Sequence, residues 1–197
     1  MGRRPVVDDA HDGFLGTLVE VKSVDAATGT VTLEHQVGFQ ANAGATVRAV
    51  ELLHNVVLGD FTIDYGTPKN AVDPFRYENN NPQYVGGEAG MGSVGNRAIF
   101  FNSVTDSDIL NVTIKNAGSN GVFVREAVEV NINGLTVDGV QNLGDGGNGY
   151  GLELGRTYFS NFDNLTFTGL VRHAVTYAKD GSSAFNNVHV LSSTANV

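Results

Sequence analysis

Apolar positions recur along this chain in two short patterns. The first is apolar, any residue, Asn/Asp/Gly, apolar, Thr or its substitute, apolar. Its copies are Leu58-Gly-Asp-Phe-Thr-Ile63, Ile109-Leu-Asn-Val-Thr-Ile114, Ile132-Asn-Gly-Leu-Thr-Val137, Phe162-Asp-Asn-Leu-Thr-Phe167 and Phe185-Asn-Asn-Val-His-Val190. The second, a small residue followed by apolar-any-apolar, precedes the last four copies, as Ala98-Ile-Phe-Phe101, Gly121-Val-Phe-Val124, Gly151-Leu-Glu-Leu154 and Ala174-Val-Thr-Tyr177. Alternation with period two predicts strands with one buried face.

The spacing of the two patterns makes the repeat specific. The step from Ile99 to Val112 is repeated without change from Val122 to Leu135, from Leu152 to Leu165 and from Val175 to Val188. The return connection varies. It is short and equal from Ile114 to Val122 and from Phe167 to Val175, longer from Val137 to Leu152, and longest from Ile63 to Ile99. The basic unit is therefore the interval from Ile99 to Val122, with insertions at one corner only. Short strands joined by Gly/Asn turns at this period fit the coils of a parallel β-solenoid. Each coil pairs with those above and below and cannot bury its apolar face alone. The Thr column (Thr62, Thr113, Thr136, Thr166, then His189) is expected to point outward. The Asn/Asp/Gly position before it is expected at a tight bend, as a ladder of turn residues.

These coils, typified by Asn111–Ile114 and Asn164–Phe167, resemble the right-handed parallel β-helix superfamily, the pectate-lyase-like repeats. The resemblance covers about residues 46–197 and implies an all-β, right-handed parallel β-helix of about five coils. Residues 1–45 read differently. Gly16–Val24 and Gly29–His35 alternate around the turn cluster Asp25–Gly29, which predicts a β-hairpin. We read residues 13–40 as a hairpin subdomain flanking the helix, with Val47–Leu53 leading into the first coil. The fifth coil runs into residues 191–197 without a capping helix. The expectation is a longer native protein, or ends stacked on another chain or a second copy.

Composition narrows the classes. The chain has 197 residues, 25 Gly and 20 Asn, which disfavours helix-rich folds. It has no Cys, so disulfide scaffolds, thiol nucleophiles and Cys-based metal sites are excluded. Its formal net charge of −9 opposes nucleic acid or an anionic membrane as partner. No apolar run reaches the ~18 residues of a membrane span, and Met1–Asp9 holds no apolar run long enough for a signal peptide, so the expectation is either another route of export or a piece of a longer chain.

Candidate chemistry gathers beside the insertions 64–97 and 138–150. Arg97, Asn120, Tyr150 and His173 each stand just before the small residue that opens the second pattern, so in register they form a polar column. At about 4.8 Å per coil, four coils give a groove floor about 15 Å long. Arg suits a carboxylate, while Tyr and His can hydrogen-bond or exchange protons. Such a row fits a polyhydroxyl or uronate chain, and it equally fits a ladder of loop-capping side chains. Phe100, Phe123, Glu153 and Thr176 form the outward column of the same strand. The Phe pair either stacks on sugar rings or packs under the long insertion. Arg125-Glu126 reads as a solvated pair.

The β-helix resemblance implies a carbohydrate partner. Lyases of this type abstract a proton α to a uronate carboxyl, with Lys or Arg as base and often Ca²⁺ on the carboxylate. On that reading His173, Tyr150, Arg172 and Lys179 are the catalytic groups, and Arg97, Asn120, Phe100, Phe123 and Glu153 bind substrate. The Tyr-Gly-x-Asp-Pro-His stretch of the related mannuronan epimerases is absent, since Phe75 follows Asp73-Pro74. No calcium-binding nonapeptide is present. Asp145, in Gly144–Asn148, is the candidate metal ligand. Two readings stand: a secreted or cell-surface carbohydrate-directed module, lyase-like, epimerase-like or purely glycan-binding, and a structural segment of a fibre, adhesin or tail-spike.

Overall fold

The computed structural model describes residues 4–7, 17–36, 47–66, 97–118, 120–140, 149–170, 173–178 and 183–190. The fold is all-β, built mainly from two parallel sheets. A nine-stranded sheet contains Leu53–His54, Val57–Gly59, Arg97–Asn102, Val104–Leu110, Asn120–Asn133, Tyr150–Tyr158, Asn161–Asp163, Val175–Ala178 and Ala184–Phe185. A five-stranded sheet contains Thr62–Asp64, Thr113–Ala117, Thr136–Val140, Leu165–Leu170 and Val188–Val190.

The register follows the sequence repeat. Ile99 pairs with Val122, Val122 with Leu152, and Leu152 with Val175. In the other sheet Thr62, Thr113, Thr136, Thr166 and His189 pair in succession. The apolar positions flanking these columns face one shared interior. Val112 and Leu135, just before their strands, and Leu165, Val122, Leu152, Ile114, Val137 and Phe167 from the two sheets are all fully buried. Each strand shields one face only of its neighbours, so burial accumulates across repeats.

The turn ladder is present. Asp60, Asn111, Gly134, Asn164 and Asn187 all have positive φ, between 49° and 74°. Asn and Gly enter this left-handed region at least cost. Side-chain amides link the column and its neighbours. Asn111 Nδ2 donates to Asp60 Oδ1 at 3.0 Å, Asn164 Nδ2 to Asn133 Oδ1 at 2.9 Å, and Asn187 Nδ2 to Asp163 Oδ1 at 2.8 Å.

The small residue in the second pattern also has a physical reason. A Cβ on Gly151 would lie 2.3 Å from Phe167 Cδ1, and one on Gly121 would lie 2.6 Å from the Gly151 carbonyl oxygen. The chain passes close against the facing sheet as it leaves the corner.

The strand Asn120–Asn133 is longer than the short strands expected, because it bends without breaking its pairing. Glu126 and Glu129 have positive φ of 52° and 55°. Their register partners repeat the bend, Ser103 and Arg156 beside Glu126, Asp106 and Phe159 beside Glu129. These residues are not Asn or Gly, so composition carried no warning of the two corners.

The N-terminal region departs from the expected single hairpin. Val21–Asp25 pairs antiparallel with Thr30–Leu33 around a turn in which Asp25 accepts bonds from Ala27 N and Thr28 Oγ1. The preceding Thr17–Leu18 instead pairs with Arg4–Val7, and Arg4–Val7 pairs with Val47–Val50. Val47–Val50, expected to lead into the first repeat, thus sits in this small antiparallel sheet. Leu18 is buried against Val128 and Tyr158. His35 stacks on Phe159 at 4.2 Å, with Nε2 2.7 Å from Glu129 Oε1. Apolar cover and this polar clip fix the region onto the nine-stranded sheet. The hairpin limits 13–16 and 37–40, and residues 191–197, lie outside the described residues. No helix of the described residues is long and apolar enough to cross a membrane.

Candidate functional site

The insertions leave one corner. Asp64, Lys115 and Asp138 are register partners at the end of the five-stranded sheet, and Arg97, Asn120 and Tyr150 are partners where the nine-stranded sheet begins. The segments between these two edges are the ones whose length varies. Tyr65, at the start of the longest, donates its hydroxyl to the Arg97 carbonyl oxygen at 3.2 Å. Burial raises that phenol above its ordinary pKa.

The polar column lies along this edge. Arg97 pairs with Asn120 and Asn120 with Tyr150, while Gly151 N donates to the carbonyl oxygen of His173. The Tyr150 and His173 rings stack at 5.5 Å. His173 is exposed and Tyr150 half-buried. The second column stands beside the first: Phe100 pairs with Phe123, Phe123 with Glu153, and Glu153 with Thr176. Two columns predicted from spacing alone are therefore adjacent and in register.

Their contacts differ from a plain outward ladder. The Phe100 and Phe123 rings stack at 5.3 Å. Phe123 is buried and Phe100 is 42% exposed, so of the two outward positions only Phe100 presents its ring to solvent. The Arg97 guanidinium carbon lies 4.2 Å from the Phe123 centroid and 5.3 Å from that of Phe100. A cation over these ring faces is held by their quadrupoles. Gly155 lets this packing close, since a Cβ there would meet Phe123 at 3.3 Å.

Electrostatics centre on Glu153. Asn120 is fully buried, and its Nδ2 donates to Glu153 Oε2. Asn120 Oδ1 is buried with no hydrogen-bond donor among the described residues. Desolvation raises the Glu153 carboxyl above the ordinary glutamate pKa; Arg97, the Asn120 bond and Arg125 pull against it. Arg97 is lowered, again chiefly by desolvation, with Glu153 opposing and Arg125 reinforcing the shift. The carboxyl that holds its proton more firmly at this edge is thus Glu153, which spacing had marked only as a binding residue. Its signal was burial, which the outward position in the alternation hid.

Arg125-Glu126 is more than a solvated pair. Glu126 Oε1 lies 3.4 Å from Arg125 Nε and 2.7 Å from an Arg156 Nη nitrogen, so one carboxylate holds two guanidinium groups at the bend. Arg172, Lys179 and Asp145, and the bulk of both insertions, lie outside the described residues. Among the described residues no three His, Asp or Glu side chains converge to hold a cation, so no calcium ligand set is assembled from them. Comparison of the chain with protein families, curated proteins and solved structures finds no match.

Proposed function

We propose that the parallel sheets wind as a right-handed parallel β-helix, and that the corner edge is a carbohydrate-directed site of a secreted or cell-surface module. The observation that carries this reading is the side-by-side register of the two columns. Successive hydrogen-bonding groups stand one strand spacing apart, about 4.8 Å, beside an exposed aromatic face. Asn120 is fully buried beneath this row, so an extended polymer of repeating polar units meets it at Tyr150, at His173 and at the Phe100 face. Phe100 supplies an apolar surface for a ring face, Arg97 sits behind it, and Tyr150 and His173 offer hydrogen-bonding edges. His173 and Tyr150 also remain the groups through which a lyase- or epimerase-like reaction would pass a proton, alongside Glu153.

Titration calorimetry against alginate, pectin and chondroitin oligosaccharides tests the reading, with unsaturated-product absorbance followed in parallel. Saturable binding that Phe100→Ala weakens supports it. Absence of both binding and product overturns it. The reading then favoured is a rigid shaft, for which the exposed apolar strand residues Leu53, Val57, Val188 and Val190 offer contact surface.

A further inference from the structure

We propose that Asn120 and Glu153 form a proton-operated switch within the site: a proton on Glu153 closes a two-bond ring between carboxylic acid and amide, and its loss opens that ring. The inference rests on the glycan-site reading only for its biological use, since the switch itself is a property of the two side chains.

Two observations on geometry carry it. Asn120 is fully buried, and one end of its amide already donates to Glu153. The other end, Oδ1, is a buried acceptor with no donor among the described residues. Leaving a buried acceptor unfilled is unfavourable, because the group has given up its water without a replacement. An ionised carboxylate only accepts, so it cannot fill Oδ1; a protonated carboxyl carries an O–H donor. With Nδ2–H donating to one carboxyl oxygen and the carboxyl O–H donating back to Oδ1, both groups are satisfied at once. The proton comes from solvent and returns to it.

The surroundings set the electrical consequence. Among the described residues the charged groups acting on Glu153 are Arg97, from the strand Arg97–Asn102, and Arg125, from Asn120–Asn133; Thr176, its partner on the next strand, carries no charge. Burial favours the neutral acid and outweighs Arg97, the Asn120 bond and Arg125, which favour the carboxylate, so Glu153 takes up its proton above the ordinary glutamate value. Protonation adds one unit of positive charge to an edge that already holds two arginines. An anionic sugar chain is then held more tightly in mild acid than at neutral pH.

The test begins on the unmodified protein, by NMR with labelled Glu carboxyl carbons and Asn side-chain amides. The Glu153 carbon is expected to titrate above the ordinary glutamate value, and the Asn120 amide signals to move with the same midpoint. Asn120 signals that stay still while Glu153 titrates overturn the switch, as does a Glu153 midpoint at or below the ordinary value. Glu153→Gln mimics the protonated form, because its amide also donates and accepts. In that variant the Asn120 signals should hold their acid-form positions between about pH 4 and pH 7. Polygalacturonate oligosaccharides provide the second readout. Wild type should bind them about fivefold more tightly at the acid end, an effect of the size expected for one partly exposed charge. His173 is common to both proteins, so the fraction of this pH dependence that Glu153→Gln removes belongs to Glu153. If no oligosaccharide binds at either pH while Asn120 follows Glu153, the glycan reading fails and the switch stands. If binding is found but Asn120 is silent, the reverse holds.

Discussion

Val122 pairs directly with Leu152 in adjacent parallel strands, and both side chains are fully buried although a long corner segment separates them in sequence. The neighbouring repeats join Ile99 to Val122 and Leu152 to Val175 over a shorter, equal interval. The additional length leaves at the corner and does not disturb the interior register. Leu152→Ala should therefore destabilise the protein by about 2–5 kcal/mol, the cost of a buried leucine truncated where the wall cannot collapse. Urea unfolding followed by circular dichroism checks this. A loss below about 1 kcal/mol would mean that Leu152 is not an interior residue.

Gly151→Ala probes the close approach at the corner. The new methyl group meets the Phe167 ring at 2.3 Å and the Ala174 carbonyl oxygen at 2.7 Å. Overpacking of this kind costs about 1–3 kcal/mol. Ala98 and Ala174 occupy the equivalent place in other repeats, whereas at Gly121 and Gly151 both a facing side chain and a neighbouring carbonyl close the space. Combining Gly151→Ala with Phe167→Leu should recover part of the loss in the same unfolding assay.

The turn ladder separates conformational from side-chain effects. Asn111 has φ of 51° and bonds to Asp60. Asn111→Gly keeps the backbone preference and loses only an exposed bond, so its stability should fall by less than about 1 kcal/mol. Asn111→Val places a β-branched residue in the left-handed region and should cost about 1–2 kcal/mol more. Equal effects of the two substitutions would remove the conformational explanation.

Glu153 makes stability depend on pH with a definite sign. Burial raises its folded-state pKa above the unfolded value. The native state then binds more protons than the unfolded chain in the interval between the two values. Stability from this group is complete below the ordinary glutamate value and declines as pH rises through the raised one. Glu153→Gln should abolish that slope. Urea midpoints measured at stepped pH for both proteins decide it, and a slope of opposite sign would place Glu153 in a predominantly ion-paired setting.

Phe100 is the residue whose removal should separate binding from folding. It is 42% exposed, and its ring lies on Phe123. Phe100→Ala should weaken oligosaccharide binding by about tenfold, the order expected for losing one aromatic stacking face. Its unfolding midpoint should move little. A large stability loss without a binding change would assign Phe100 to packing alone.

Much of the repeat was legible because two periods coincide in it. Alternation marked the buried faces, and the constant step between the two patterns tied Ile99, Val122, Leu152 and Val175 to the strand positions they occupy. The same arithmetic aligned Arg97 with Asn120 and Phe123 with Glu153. What spacing could not convey was depth. Phe123 occupies an outward position yet is covered by Arg97, and Glu153 is shifted by burial that depends on its neighbours' bulk. The bends at Glu126 and Glu129 were hidden for a different reason. Their backbone is left-handed without the Gly or Asn that normally announces it, and is held by register with Arg156 and Phe159. At the N-terminus, the alternation from Gly16 to Val24 slips at Leu18-Val19, two adjacent apolar residues that are both buried, and the chain changes partner there, which a reading of the whole stretch as one strand passed over.

The confinement of length variation to one corner has an evolutionary consequence. A chain whose interior spacing is fixed while a single rim accepts segments of any size can acquire new surface chemistry by exchange of those segments, with no compensating change inside. Hybrid proteins carrying a foreign peptide between Val140 and Gly149 should keep the parent's thermal transition, making that rim the natural place to graft recognition of a different target.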